Sequence, residues 1–121
     1  MKRSTVPMED EEQIMFVQWC QLRKIPLAHI PNEIGGSTPA LKVRALKMKR
    51  MGTSKGFPDL LVFVPRDNGY KLIAIEMKRR VGSRTSEEQK EWLRRLEKAG
   101  VPAAICHGAE EAVEFVEQFM V

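Results

Sequence analysis

Asp59, Glu76 and Lys78 are the residues whose types and spacing suit attack on a phosphate ester. Glu76 and Lys78 stand two apart in an apolar run, so on a strand they share a face about 6.6 Å from each other, while Ile75 and Met77 point the other way. Two acids and a lysine at one end of a Leu, Ile and Val hairpin cost stability through repulsion and desolvation unless a cation compensates. Magnesium takes hard oxygen ligands and keeps several waters. Asp59, Glu76 and the backbone carbonyl of Met77 between Glu76 and Lys78 would therefore suit it, with a substrate phosphate completing the shell. Lys78 would orient the attacking water and stabilise the charge that develops on phosphorus.

The elements must bring Asp59 to Glu76. Leu60 to Pro65 and Tyr70 to Met77 are strand-like runs, and Arg66, Asp67, Asn68 and Gly69 between them form a hairpin signal. If those four residues are the loop, Pro65 faces Tyr70, and counting back places Asp59 opposite Glu76, with Cβ atoms about 4.5 to 5.5 Å apart. If Asn68 and Gly69 form a two-residue turn, Asp59 faces Lys78 and lies diagonal to Glu76. Slipping by two preserves the face, so both registers keep the three residues together.

Around the hairpin, an apolar stripe of Phe16, Val17 and Cys20 predicts a helix from about Met8 to Lys24, ended by Pro26. A short strand over Leu27 to Ile30 follows, then a turn-rich stretch containing Pro31, Asn32, Gly35, Gly36 and Ser37, and a basic helix from about Pro39 to Met51. After the hairpin, Ser86 caps a helix over Glu87 to Ala99 with Trp92, Leu93 and Leu96 inward. A strand over Ala103 to Cys106 and a final helix with Ala112, Val113, Val116 and Phe119 inward complete the order α-β-α-β-β-α-β-α. The fold class is α/β, a small central mixed sheet flanked by helices. At 121 residues and 43% hydrophobic content, residues 1–121 are expected to build one domain.

No run approaches the roughly 18 apolar residues of a membrane span, and Met1 to Thr5 lack the apolar core of a secretion signal, so a cytoplasmic protein is expected. Cys20 and Cys106 have neither disulfide-framework nor zinc-knuckle spacing and read as small core residues. His29 and His107 have no metal-ligand spacing and read as structural, and Trp19 and Trp92 read as core. The formal net charge is +4, but the cations are bunched. Lys47, Lys49, Arg50 and Lys55 form one group, and Arg79, Arg80 and Arg84 another, as expected for contacts to a polyphosphate backbone.

With these segments in place, the sequence resembles the PD-(D/E)XK phosphodiesterases, and within them the small stand-alone VRR-NUC proteins typical of phages and prophages. Ile30-Pro31-Asn32, Lys47 to Leu61 (KMKRMGTSKGFPDLL), Ile75-Glu76-Met77-Lys78 and Glu88-Gln89-Lys90-Glu91-Trp92-Leu93 carry the resemblance. It implies a restriction-endonuclease-like core, magnesium- or manganese-dependent DNA cleavage, a preference for branched DNA such as Holliday junctions, and a homodimer. By resemblance, Asp59 and Glu76 are metal ligands, Lys78 is the catalytic lysine and Gln89 supports the site.

The family pattern also has a glutamate four residues before a glutamine, which fits Glu9 and Gln13. A helical wheel puts Glu9 on the inward stripe and Glu12 near its edge, so Glu9 is the first choice as a further ligand and Glu12 the second. Asp10 and Glu11 read as acids favouring the positive end of the helix dipole. Gln89 has two readings, a support for the site and the far half of a capping box with Ser86. The alternative function is a nucleic-acid-binding module on the same fold without catalysis, which two opposed carboxylates beside phosphate argue against. A sequence-specific restriction enzyme would need a base-reading element for which 121 residues leave little room.

Overall fold

The computed structural model describes residues 6–31 and 37–120; Asn32, Gly35 and Gly36 of the turn-rich stretch lie outside the described residues, as do Met1 to Thr5. The elements run α1 (Glu9–Leu22), β1 (Leu27–His29), α2 (Pro39–Arg50), β2 (Leu60–Arg66), β3 (Gly69–Lys78), α3 (Glu87–Lys98), β4 (Ala103–His107) and α4 (Ala109–Glu117). This is the expected order, with boundaries displaced by at most two residues. The first helix stops before Pro26 because Lys24 takes a left-handed conformation (φ 57°), and the N–H of Ile25 donates back to the Cys20 carbonyl.

The four strands lie in the order β1-β2-β3-β4, with β1, β2 and β3 antiparallel and β4 parallel to β3. Pairing runs from Arg66 opposite Gly69 through Pro65 opposite Tyr70 to Leu60 opposite Ile75. The hairpin register is thus the one that aligns Asp59 with Glu76, although its turn is only two residues, Asp67 and Asn68, and not the four of the loop expected for it. The alternative turn at Asn68 and Gly69 is not formed, because Gly69 is already paired, opposite Arg66, as the first residue of β3.

Strand alternation splits the sheet into two faces. Leu60, Val62, Val64, Ile73, Ile75 and Met77 are fully buried on one, together with Phe16 and Cys20 of α1 and Ala112 and Val116 of α4. That apolar layer is the core. Asp59, Leu61, Phe63, Ala74, Glu76 and Lys78 occupy the other face, whose polar end opens into a cleft bordered by α2 and α3. The face toward α1 and α4 therefore supplies the burial that stabilises the sheet, and the opposite face carries the charges.

Candidate active site

Asp59 enters the site from a loop that leaves little freedom. Pro58 is buried, the N–H of Ile30 donates to the Asp59 carbonyl (2.6 Å), and Asp59 Oδ2 accepts the main-chain N–H of Met77 (3.0 Å). The loop before it is pinned on α3 at Gly56. This residue has φ +88°, and a Cβ built there would lie 2.6 Å from the backbone carbon of Glu88 and 2.7 Å from the Gln89 nitrogen. Only glycine satisfies both conditions, so the approach of loop to helix depends on it.

Glu76 is 4% exposed and Lys78 9%, and Lys78 Nζ stands 3.9 Å from Glu76 Oε2. Carboxylate oxygens of Glu9, Asp59 and Glu76 all lie within 4.8 Å of one another. Burial pushes the Glu76 carboxyl up to about 9; the Asp59 charge and its hydrogen bond with Glu76 add to the rise, Glu9 adds less, and Lys78 opposes it. Such a group is protonated near neutral pH unless a cation joins it. Three hard oxygen donors in so small a volume match what a magnesium-sized cation takes from a protein.

Of the two first-helix acids, Glu9 joins Asp59 and Glu76, whereas Glu12 does a different job. Glu12 is 2% exposed; its Oε1 accepts the N–H of Ala109 (3.0 Å) at the start of α4, and its Oε2 lies 2.9 Å from Arg80 Nε. Because that oxygen has no aligned hydrogen bond, the contact with Arg80 is one of charge. Gly108 leaves room for the arrangement, since a Cβ there would stand 2.6 Å from Arg80 Cγ.

Gln89 forms the far half of the expected capping box. Its Oε1 accepts the N–H of Ser86 (2.9 Å), while Ser86 Oγ accepts the N–H of Gln89 (3.1 Å), completing the capping box. Gln89 also lines the cleft with Asp59, Glu76 and Lys78.

The basic residues divide. Lys49, Lys55 and Arg84 line the cleft, and Lys47 and Arg50 are exposed on α2 outside its lining. Arg79 donates to the Pro7 and Val6 carbonyls (3.4 and 3.5 Å), and Arg80 pairs with Glu12. Arg79 thus fastens the segment leading into Glu9, and neither arginine lines the cleft. Two cleft residues escaped sequence reasoning as site residues, Trp92 and Arg95. Their spacing of three and six from Gln89 was the available signal, since residues three apart share a helix face.

Similarity to known proteins agrees with this geometry. Residues 3–110 match the family model described as the VRR-NUC domain. A solved structure described as a "VRR_NUC domain protein" superposes with a TM-score of 0.75 at 27% sequence identity, covering 95% of this chain and 89% of that one. No curated protein matches the sequence. The match spans the segments that bring Asp59, Glu76, Lys78 and Gln89 to one cleft and Glu9 to the two acids, and the chain belongs to the VRR-NUC family, which is of nuclease type.

Proposed function

We propose that the protein is a metal-dependent DNA endonuclease, hydrolysing phosphodiester bonds at the cleft between α2 and α3. The observation that carries this is the meeting of three carboxylates, Glu9, Asp59 and Glu76, within 4.8 Å, beside the nearly buried Lys78. Burial and two further acids raise the Glu76 carboxyl to about 9, an electrostatic cost that a bound cation would offset.

Glu9, Asp59, Glu76 and the Met77 carbonyl would hold magnesium, or manganese in its place. The bound cation supplies Lewis-acid polarisation of the phosphate and a water of lowered pKa. Lys78, 3.9 Å from Glu76, would orient the attacking water and balance charge accumulating on the phosphate oxygens. Asp59 is kept in position by the Met77 N–H, and Gln89 lines the same space. Lys49, Lys55 and Arg84 neutralise flanking phosphates. Lys47 and Arg50 on α2 extend that surface.

By family resemblance the substrate is branched DNA such as a Holliday junction, cut by a homodimer whose symmetry presents two sites to the two strands. The same resemblance favours a stand-alone protein of phage or prophage origin acting in the bacterial cytoplasm; no described helix is long and apolar enough to cross a membrane. A cleavage panel tests the reading, using single-stranded, duplex, flap and four-way-junction DNA with magnesium, manganese or EDTA, on wild type and Lys78→Ala. Cleavage of the branched DNA with either metal, absent in EDTA and in Lys78→Ala, is expected. Binding without cleavage under every divalent cation would replace the nuclease with a binding module.

A further inference from the structure

The cleft is larger than a cation and one phosphate require, at about 1280 Å³. Its α3 wall is made by every third residue: Ser86, Gln89, Trp92 and Arg95. Three residues advance a helix by about 4.5 Å, so Trp92 stands one step and Arg95 two steps along the axis from Gln89. Phe57, two positions before Asp59, meets the Trp92 ring edge to face (5.1 Å between centroids, 75° between planes) and closes the wall from the loop side. The Arg95 guanidinium lies over the Trp92 ring, 5.0 Å from its centroid. Its side chain is 55% exposed, and Glu91 is its ion-pair partner at 3.6 Å, so a planar group already reaches this ring from the outside and is loosely held there.

A half-buried aromatic ring in a basic cleft is how proteins hold single-stranded nucleic acid: bases stack on the ring while cations follow the phosphates. The cations are present here as Lys49, Lys55, Arg84 and Arg95. In a duplex the faces of each base are covered by its neighbours, so a ring in the wall of a cleft can receive only a base that has left the stack. We propose that the cleft contains a subsite for one unpaired nucleotide beside the cleaved phosphate, with Trp92 as the stacking platform and Arg95 swinging from the ring to a phosphate. This deepens the nuclease reading and rests on it. Trp92 is then a specificity-determining residue, favouring DNA with an unpaired base at the cut over continuous duplex.

The test removes the base and the ring separately. Flap DNA is prepared with a single abasic residue at each position around the cut, and kcat/KM is measured for wild type, Trp92→Ala and Trp92→Phe. One abasic position should cost wild type about tenfold, the scale of a stacked base. Trp92→Ala should lose a similar factor on intact flap and then be indifferent to base removal, while Trp92→Phe should restore the dependence. Equal abasic penalties in wild type and Trp92→Ala, or none in wild type, would overturn the subsite. Quenching of 2-aminopurine in a bound single strand in EDTA reads stacking without catalysis. Quenching by wild type but not Trp92→Ala supports the subsite even if no DNA is cut, and its absence in wild type refutes the subsite even if cleavage is strong.

Discussion

The main-chain N–H of Met77 donates to Asp59 Oδ2 at 3.0 Å, so the loop acid is tied to the strand that carries Glu76 and Lys78 on either side of the donor. One hydrogen bond thus fixes the distance between a carboxylate from the loop and two charged groups from the strand. The carboxylate pair is set by the backbone as well as by the hairpin register.

Asp59→Asn keeps an oxygen for the Met77 N–H and removes the charge. Cleavage should fall by at least about 100-fold, the scale on which losing one preorganised electrostatic group acts. Thermal stability in EDTA should hold, because the asparagine oxygen still accepts the Met77 N–H. Melting curves and single-turnover rates read the two effects apart.

Stability should depend on pH through Glu76. Its folded carboxyl sits near 9 against an ordinary value of 4.5, so the folded state binds the proton more tightly than the unfolded state. The stabilisation is complete below about pH 4.5 and is lost progressively as pH rises through 9. In EDTA the contribution of Glu76 therefore lowers the melting temperature over that window, whereas millimolar magnesium or manganese, which binds the deprotonated cluster, should protect increasingly as pH rises. Glu76→Gln should remove the metal-free slope. An unchanged slope in that variant would show that other groups set it.

The two acids of α1 should separate cleanly. Glu9→Gln should lower cleavage with little change in melting temperature. Glu12→Ala leaves the Ala109 N–H without its acceptor at the start of α4 and should cost about 1–3 kcal/mol of stability, measured by urea unfolding. The exposed side of the Arg80 pair adds little, since solvent screens it.

Gly56→Ala combines a left-handed backbone with a Cβ driven into the Glu88 main chain, which cannot yield as a flexible side chain would. A loss of about 2 kcal/mol or more is expected, with cleavage reduced further than stability alone explains because the loop carries Asp59. Urea unfolding and cleavage of the same preparation check it.

The element order and the convergence of Asp59, Glu76 and Lys78 were legible in the sequence because each rests on local periodicity, whereas the hairpin register stayed open between two alternatives that share a face. Strand alternation places Glu76 with Lys78, and Pro65 opposite Tyr70 places Asp59. The roles of Arg79 and Arg80 were not legible. Arg79 reaches the Pro7 carbonyl 72 positions away, and the Glu12 that Arg80 pairs with caps a residue 97 positions away, so tertiary closure decides both. Trp92 was hidden differently: an aromatic on the stripe of Leu93 and Leu96 has the pattern of a core residue, and only the space between α2 and α3 makes it a wall of the cleft.

The most direct measurement is the rate at which purified wild type and Asp59→Asn cut one end-labelled four-way junction, with magnesium and with EDTA. Cleavage by wild type in magnesium alone, with both EDTA and the substitution abolishing it, is the predicted result. Equal cleavage by Asp59→Asn, or by wild type in EDTA, would contradict the assignment of this carboxylate cluster as the metal-dependent centre.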